Sequence, residues 1–217
     1  MKKHPAVYTN KFIPIFAELL QDKNNVLDPF AGTGKIGLIK EHGYNGIIYA
    51  NEIEPEWLID NLFNCDILTY EDAEVLNYPN NFFEAICTSP TYGNRMADHH
   101  NARDGSKRIS YTHCLGRKLN PENTGYMQWG NEYREKHIKI YKHIAKLLKE
   151  DGIFILNISD HIRKGEIMHV SEWHKDILMA LDLGLVKEIE VEVPRMRFGK
   201  NSEKRINCEK VYVFQKK

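Results

Sequence analysis

Thr88-Ser89-Pro90-Thr91-Tyr92-Gly93 sets a hydroxyl, a proline carbonyl and an aromatic ring within one turn of chain. Two acceptors and a ring suit one task. The lone pair of an exocyclic amino group on a base is delocalised into its ring. Acceptors that hold the amino protons favour a pyramidal nitrogen and release that pair. Ser89 Oγ and the Pro90 carbonyl are the candidate acceptors. Tyr92 is the candidate stacking surface for a base turned out of its helix. In-line displacement at such a nitrogen depends on positioning more than on a strong base. The plainer alternative is a strand end followed by a Pro-containing turn.

A second constellation is Asp28-Pro29-Phe30-Ala31-Gly32-Thr33-Gly34-Lys35. A nucleotide-phosphate loop is excluded, since Pro29 stands where the first Gly is needed and Ile36 where Ser or Thr must follow the Lys. Apolar Val26-Leu27 before it and helically spaced Ile36, Leu38 and Ile39 after it make a strand, a Gly-rich turn and a helix. That is a ligand loop of an α/β sheet, here for an uncharged or zwitterionic ligand. Glu52 ends the next apolar run, 20 residues after Gly32. An acid at this spacing bonds ribose hydroxyls; its alternative is a solvated strand-end acid. Asp72 follows a third apolar run and could accept from an adenine amino group, with Asp66 as the rival position.

The elements that must position these residues follow from periodicity. Helices are expected at Phe12–Leu20, Lys35–Glu41, from Pro55, at Glu132–Leu148 and at Glu172–Leu181. Strands are expected at Val26–Phe30, Gly46–Ile53, Cys65–Tyr70, Phe82–Thr88, Ile153–Ile158, Val186–Val193 and Lys210–Phe214. The alternation predicts an α/β fold: a mostly parallel seven-stranded sheet, helices on both faces and an antiparallel pair at one edge. The chain of 217 residues fits one domain. Residues 91–130 break the pattern. Being polar and long, they read as a functional loop over the carboxyl edge of the sheet.

Thirty Lys and Arg balance thirty Asp and Glu, so bulk charge selects no partner, although a local basic face is compatible with a neutral chain. Cys65, Cys87, Cys114 and Cys208 are scattered without a Cys-x-x-Cys, which points to free thiols in a reducing cytoplasm. No signal-type run follows Met1-Lys2-Lys3-His4-Pro5, and no stretch approaches membrane-spanning length. His99-His100 and His113-Cys114 lack the usual ligand spacing, so no metal is expected.

Asp28-Pro29-Phe30-Ala31-Gly32-Thr33-Gly34 resembles the S-adenosylmethionine loop of amino-group DNA methyltransferases. Thr88-Ser89-Pro90-Thr91-Tyr92-Gly93 resembles their catalytic motif, usually Ser-Pro-Pro-Tyr in cytosine-N4 enzymes and Asp-Pro-Pro-Tyr in many adenine-N6 enzymes. His4-Pro5-Ala6-Val7-Tyr8 resembles the segment that closes over the methionine moiety. The likeness runs from about His4 to the end of the chain, with both motifs in family order. It implies a Rossmann-like class I methyltransferase fold and S-adenosylmethionine as cofactor. It also implies cofactor contacts from Tyr8, the Asp28–Gly34 loop, Glu52-Ile53, Asp72-Ala73 and Ser89, with transfer at Ser89, Pro90 and Tyr92. The substrate is then duplex DNA with a flipped base. Ser89 leans towards cytosine N4, with adenine N6 as the alternative, and RNA or protein further off. Cytosine-C5 chemistry needs a Pro-Cys pair, which is absent. The chain departs from the motif at Thr91, which replaces the second Pro and leaves room for a catalytically weak nucleic-acid-binding relative.

Arg95, Arg103, Lys107, Arg108 and Arg117 in the long loop, and Arg195, Arg197 and Lys200 before the last strand, are the candidate contacts to nucleic acid. Tyr111, Tyr126 and Trp129 add stacking surface to the loop.

Overall fold

The computed structural model describes residues 4–93, 110–193 and 206–217. Helix α1 (Phe12–Leu20) leads into β1 (Asn25–Asp28) and a 3-10 helix (Lys35–His42). There follow β2 (Ile47–Asn51), α2 (Pro55–Leu58), β3 (Ile67–Thr69) and β4 (Phe83–Thr88). After α3 (Tyr111–Leu115) and the long α4 (Asn131–Leu147) come β5 (Leu148–Ile158), a hairpin of β6 (His161–Arg163) and β7 (Glu166–Met168), and α5 (Val170–Met179). Strands β8 (Leu183–Glu192) and β9 (Cys208–Lys216) complete the chain.

The main sheet has seven strands in the order β3-β2-β1-β4-β5-β9-β8. Strands β1 to β5 pair in parallel, and β9 runs antiparallel to both β5 and β8. The antiparallel pair expected at one edge is therefore β8–β9, with β9 as its inner member.

Burial explains the strand sequences. Val26, Ile48, Ala85, Cys87, Ile155 and Val213 point to one side, where Phe12, Phe16 and Leu20 of α1 cover them with Ile36 and Ile39. Leu27, Ile86, Phe154, Leu156, Tyr212 and Phe214 point to the other, under Ile140, Tyr141, Ile144 and Leu147 of α4 and Leu178 of α5. Strands buried on both faces read as continuous apolar runs, as these do.

Three local differences have physical causes. The helix after the Gly loop is a 3-10 helix, ended by Gly43 at φ 89°, whose N–H bonds the Ile39 and Lys40 carbonyls. Strand β5 begins at Leu148, earlier than its apolar run, because Phe83 pairs with Leu148 across a register shift before Ala85 meets Ile153. The β6–β7 hairpin was not expected, since its strands are too short to show alternation. Its turn uses Lys164 and Gly165, both at positive φ.

Candidate active site

The loops at the carboxyl ends of β1, β2, β3 and β4 open into one cavity of about 330 Å³. Ligands of open α/β sheets bind at this edge. Of the residues singled out in the sequence, Tyr8, Pro29, Phe30, Ala31, Gly32, Thr33, Glu52, Ile53, Asp72, Ala73, Ser89, Pro90 and Tyr92 line it. Asp28 and Gly34, also expected as cofactor contacts, are not part of the wall; Asp28 bonds Phe30 and Thr88, and the Gly34 carbonyl faces Cys65. Asp66, the rival of Asp72, accepts from Ile48 N–H and Lys40 Nζ and is not part of the wall.

The Gly loop is tied to the strand ends. Gly32 (φ 56°) and Gly34 (φ 76°) hold left-handed conformations that favour glycine. Glu52 grips this turn: Oε2 accepts Gly32 N–H at 2.9 Å and Oε1 accepts Glu54 N–H at 3.0 Å. Burial pushes the Glu52 carboxyl up to about 8, against those two backbone bonds. Asp28 accepts from Thr88 Oγ1 at 2.7 Å and Phe30 N–H at 3.1 Å, and burial lifts it to about 7. That bond joins the Gly loop directly to the strand carrying the Ser-Pro motif.

The amino-terminal segment closes over this half. His4 lies above Gly32, where a Cβ would come 3.4 Å from its Nε2. Its ring meets Trp57 edge-on at 4.4 Å, and burial lowers its pKa to about 4. Lys35 Nζ holds the Tyr8 carbonyl.

Asp72 sits in an ionic cluster that the sequence did not suggest. Lys136 Nζ, from α4, bonds Asp72 Oδ2, Glu74 Oε2 (2.9 Å) and Glu122 Oε2 (2.8 Å). Burial works to lower the Lys136 pKa, but the bonds to Asp72, Glu122 and Glu74 prevail and hold it above its ordinary value. The three carboxylates lie close enough to share a cation, and the lysine ammonium is the cation they share. Of the histidines and cysteine considered as ligands, His113 and Cys114 lie in α3, while His99 and His100 fall outside the described residues.

The transfer motif is held from several directions. Ser89 Oγ lies 3.2 Å from Tyr92 Oη and accepts from Asn157 Nδ2 at 3.3 Å. Tyr92 Oη and Asn157 Nδ2 both donate to Glu209 Oε2, at 3.2 and 3.0 Å. Glu209 lines the cavity from β9 and escaped the sequence reading, because only strand pairing brings it there. Thr91 is braced despite lacking the proline ring. Its hydroxyl donates to Thr124 Oγ1 at 2.8 Å, and its carbonyl accepts from Tyr133 Oη. The one proton of Tyr133 being used there, His174 Nε2 at 2.9 Å must donate to that phenol. His174 Nδ1 then accepts from Tyr141 Oη at 2.6 Å. Burial keeps His174 far below its ordinary pKa, as this neutral tautomer requires.

Residues 91–130 carry more structure than expected where they are described: α3 and a 3-10 turn at Thr124–Tyr126. Glu54 anchors the segment, accepting from Asn120 N–H (2.6 Å) and Asn123 Nδ2 (3.0 Å) and pairing with Arg117 (2.7 Å). Arg117 also forks onto Glu56. Its guanidinium is thus engaged within the chain. Arg95, Arg103, Lys107, Arg108, Arg195, Arg197 and Lys200 lie outside the described residues. Of the expected stacking aromatics, Tyr126 is exposed. Tyr111 is buried against Trp57, and Trp129 packs on Trp173 and under Arg134, because both rings have apolar partners to cover.

No family model matches the sequence, and no curated protein is significantly similar to it in sequence. Solved structures are similar in shape. An S-adenosylmethionine-dependent methyltransferase of Methanosarcina mazei aligns over 100% of this chain and 99% of its own, at 12% identity and a TM-score of 0.57. The chain has the class I methyltransferase fold. A TehB-like methyltransferase of Corynebacterium glutamicum shares it over 94% of this chain and 87% of its own, at 12% identity and a TM-score of 0.52. So does the 1,6-didemethyltoxoflavin-N1-methyltransferase of Burkholderia thailandensis, solved with bound 1,6-didemethyltoxoflavin and S-adenosylhomocysteine. It aligns over 95% of this chain and 77% of its own, at 14% identity and a TM-score of 0.55. A methyltransferase fold hosts varied substrates, so the substrate must be argued from the site.

Among the described residues, no helix is long and apolar enough to cross a membrane. All four cysteines are free thiols.

Proposed function

We propose that this chain binds S-adenosylmethionine and transfers its methyl group to an exocyclic amino group of a base in duplex DNA, cytosine N4 first. The observation that carries the reading is the union, in one cavity, of the Gly32–Gly34 turn, Glu52, Asp72 and the Ser89-Pro90 acceptors.

The cavity suits that cofactor. Its volume falls in the range of small-molecule sites. Glu52 is an acid for ribose hydroxyls, and Asp72 one for an adenine amine. Two buried donors in lining residues, Tyr8 Oη and Trp57 Nε1, have no partner among the described residues. When bound, S-adenosylmethionine supplies an electrophilic methyl group. The residues of the chain then do three things. Ser89 Oγ and the Pro90 carbonyl accept the amino protons of the base and orient its nitrogen. The ring of Tyr92 offers the stacking face. The His4–Tyr8 segment and the Thr124 loop exclude water from the cavity they line.

DNA is favoured by the Ser-Pro motif and by the basic residues of segment 94–109. That segment leaves the described structure just after Tyr92 and returns just before Tyr111, both of which line the cavity. Adenine N6 is the second reading, favoured by Glu209: a carboxylate beside Ser89 gives the site the acid that the Asp form of the motif carries.

The test is transfer of labelled methyl to mixed-sequence duplex DNA, followed by nucleoside mass analysis. N4-methylcytosine is expected. N6-methyladenine would keep the mechanism and overturn the choice of base. Calorimetric binding of S-adenosylhomocysteine without label in any DNA would overturn the DNA reading and leave the cofactor reading standing.

A further inference from the structure

We infer that Glu209 is the terminal proton acceptor of the transfer site, reached from Ser89 through Tyr92, an assignment that rests on the methyl-transfer reading above. Four side chains close a ring: Ser89 Oγ, Tyr92 Oη, Glu209 Oε2 and Asn157 Nδ2, joined at 3.2, 3.2, 3.0 and 3.3 Å. Ser89 and Tyr92 come from the turn after β4, Glu209 from β9 and Asn157 from β5. Glu209 is 6% exposed and Asn157 fully buried, while Ser89 and Tyr92 are half-buried at the cavity wall.

The proton directions in this ring are fixed by counting. A phenol has one proton, and that of Tyr92 goes to Glu209. Between Ser89 and Tyr92 the serine must therefore donate. Asn157 spends both amide protons, one on Ser89 and one on Glu209. Every donor in the ring points, directly or in sequence, towards the carboxylate. Ser89 Oγ is left with a second lone pair, the one assigned above to an amino proton of the base.

This arrangement gives that proton a path. As the new N–C bond forms, the bond from the methyl carbon to sulfur breaks and its electron pair stays on sulfur. The amine nitrogen then holds one proton too many. The N–H pair returns to nitrogen as the proton passes to Ser89 Oγ. The serine proton moves to Tyr92 Oη, and the tyrosine proton to Glu209 Oε2. A sulfonium and a carboxylate become a thioether and a carboxylic acid, so charge balances. Glu209 returns its proton to water once the product leaves. Tyr92 thereby has two roles, a ring for stacking and a hydroxyl for relay.

The experiment uses the full chain with Glu209→Gln, Tyr92→Phe and the double variant. Single-turnover transfer is measured on the DNA that wild type modifies, beside calorimetric binding of S-adenosylhomocysteine. Glutamine keeps the bond from Tyr92 but cannot take a proton, and phenylalanine keeps the ring but cuts the chain. Each single variant is expected to lower kcat about 100-fold with KM for DNA and cofactor affinity unchanged. The double variant should be no slower than the slower single, because both break one path. Independent structural damage would instead multiply the two losses, to about 10,000-fold, and would overturn the relay. So would a Glu209→Gln enzyme within about threefold of wild type. Should Glu209→Gln fail to fold, Tyr92→Phe decides alone: retained kcat overturns the relay. A wild type that methylates no base overturns the transfer reading and the relay together, whereas active wild type with active variants overturns the relay only.

Discussion

Glu52 and Glu209 both bring a buried carboxylate to the same cavity, and they arrive by different routes. Glu52 is held by backbone N–H groups of Gly32, 20 residues before it, and Glu54, two residues after it. Both partners of its carboxylate lie within 20 residues of it along the chain. Glu209 is held by side chains 117 and 52 residues away, on elements that meet only through the β5–β9 pairing. At Glu52 the cofactor half is thus tied locally and by main chain, whereas Asp72 in the same half is held by the Lys136 side chain from α4. The transfer half is assembled from distant strands and tied by side chains. Backbone bonds survive most substitutions; side-chain bonds do not, so the transfer half should tolerate fewer changes.

The sharpest way to separate the halves is Ser89→Ala. It removes an acceptor for the amine and one corner of the hydrogen-bond ring. Transfer should fall about 100- to 10,000-fold while calorimetry finds cofactor binding largely intact. Parallel loss of binding would mean that the two halves are one unit.

Glu52→Gln attacks the other half. Cofactor affinity should drop by up to about 10-fold, the value of a hydrogen bond to a mainly protonated acid, with turnover at saturating cofactor largely kept. It also carries a signed pH effect. The Glu52 carboxyl is raised from 4.5 to about 8 in the fold. The stability linked to its protonated form is fully present below 4.5 and is lost as pH rises through about 8. Urea unfolding of the ligand-free chain should therefore show a steeper decline over that window in wild type than in Glu52→Gln. An identical slope would remove the assigned burial cost.

Lys136→Met probes the seam between the halves, since it leaves Asp72, Glu74 and Glu122 facing one another. A loss of about 1–3 kcal/mol is expected in chemical denaturation, below the figure for a fully buried pair because Glu122 is largely solvated. Wild-type stability in that variant would show the cluster to be incidental.

The smallest effect is reserved for Thr91→Pro. The substitution restores the ring of the usual motif and deletes the Thr91–Thr124 bond. These act in opposite directions, so turnover should stay within about threefold and stability within about 1 kcal/mol. A gain of tenfold or more in turnover would show that the hydroxyl does not replace the ring.

Legibility in the sequence followed the same division. The common position of the Gly loop, Glu52 and the Ser-Pro motif at one sheet edge was readable, because it depends on spacing along a strand, a turn and a helix. The long amphipathic face of α4 and the apolar runs of β1, β4 and β5 were readable for the same reason. Lys136 was not, because a lysine on an amphipathic helix reads as solvated until Asp72, Glu74 and Glu122 converge on it. Arg117 read as a candidate contact to nucleic acid, and its partners Glu54 and Glu56 are set by a fold-back of some sixty residues. Glu209 lies one residue before the expected strand Lys210–Phe214; the observed strand starts at Cys208, and its register with β5 brings Glu209 to Asn157.

Strand β9 carries one more consequence, in the time over which the chain is made. Residues 4–93 include the Gly loop, Glu52, Asp72 and the Ser-Pro motif, whereas Glu209 emerges from the ribosome long after them. Domains are built from the amino terminus onward at about 5–20 residues per second. A nascent chain therefore carries the Gly loop and the Ser-Pro motif several seconds before Glu209 is made. Until β9 slides in between β5 and β8, the sheet is unfinished and Glu209 is not yet beside Asn157 and Tyr92.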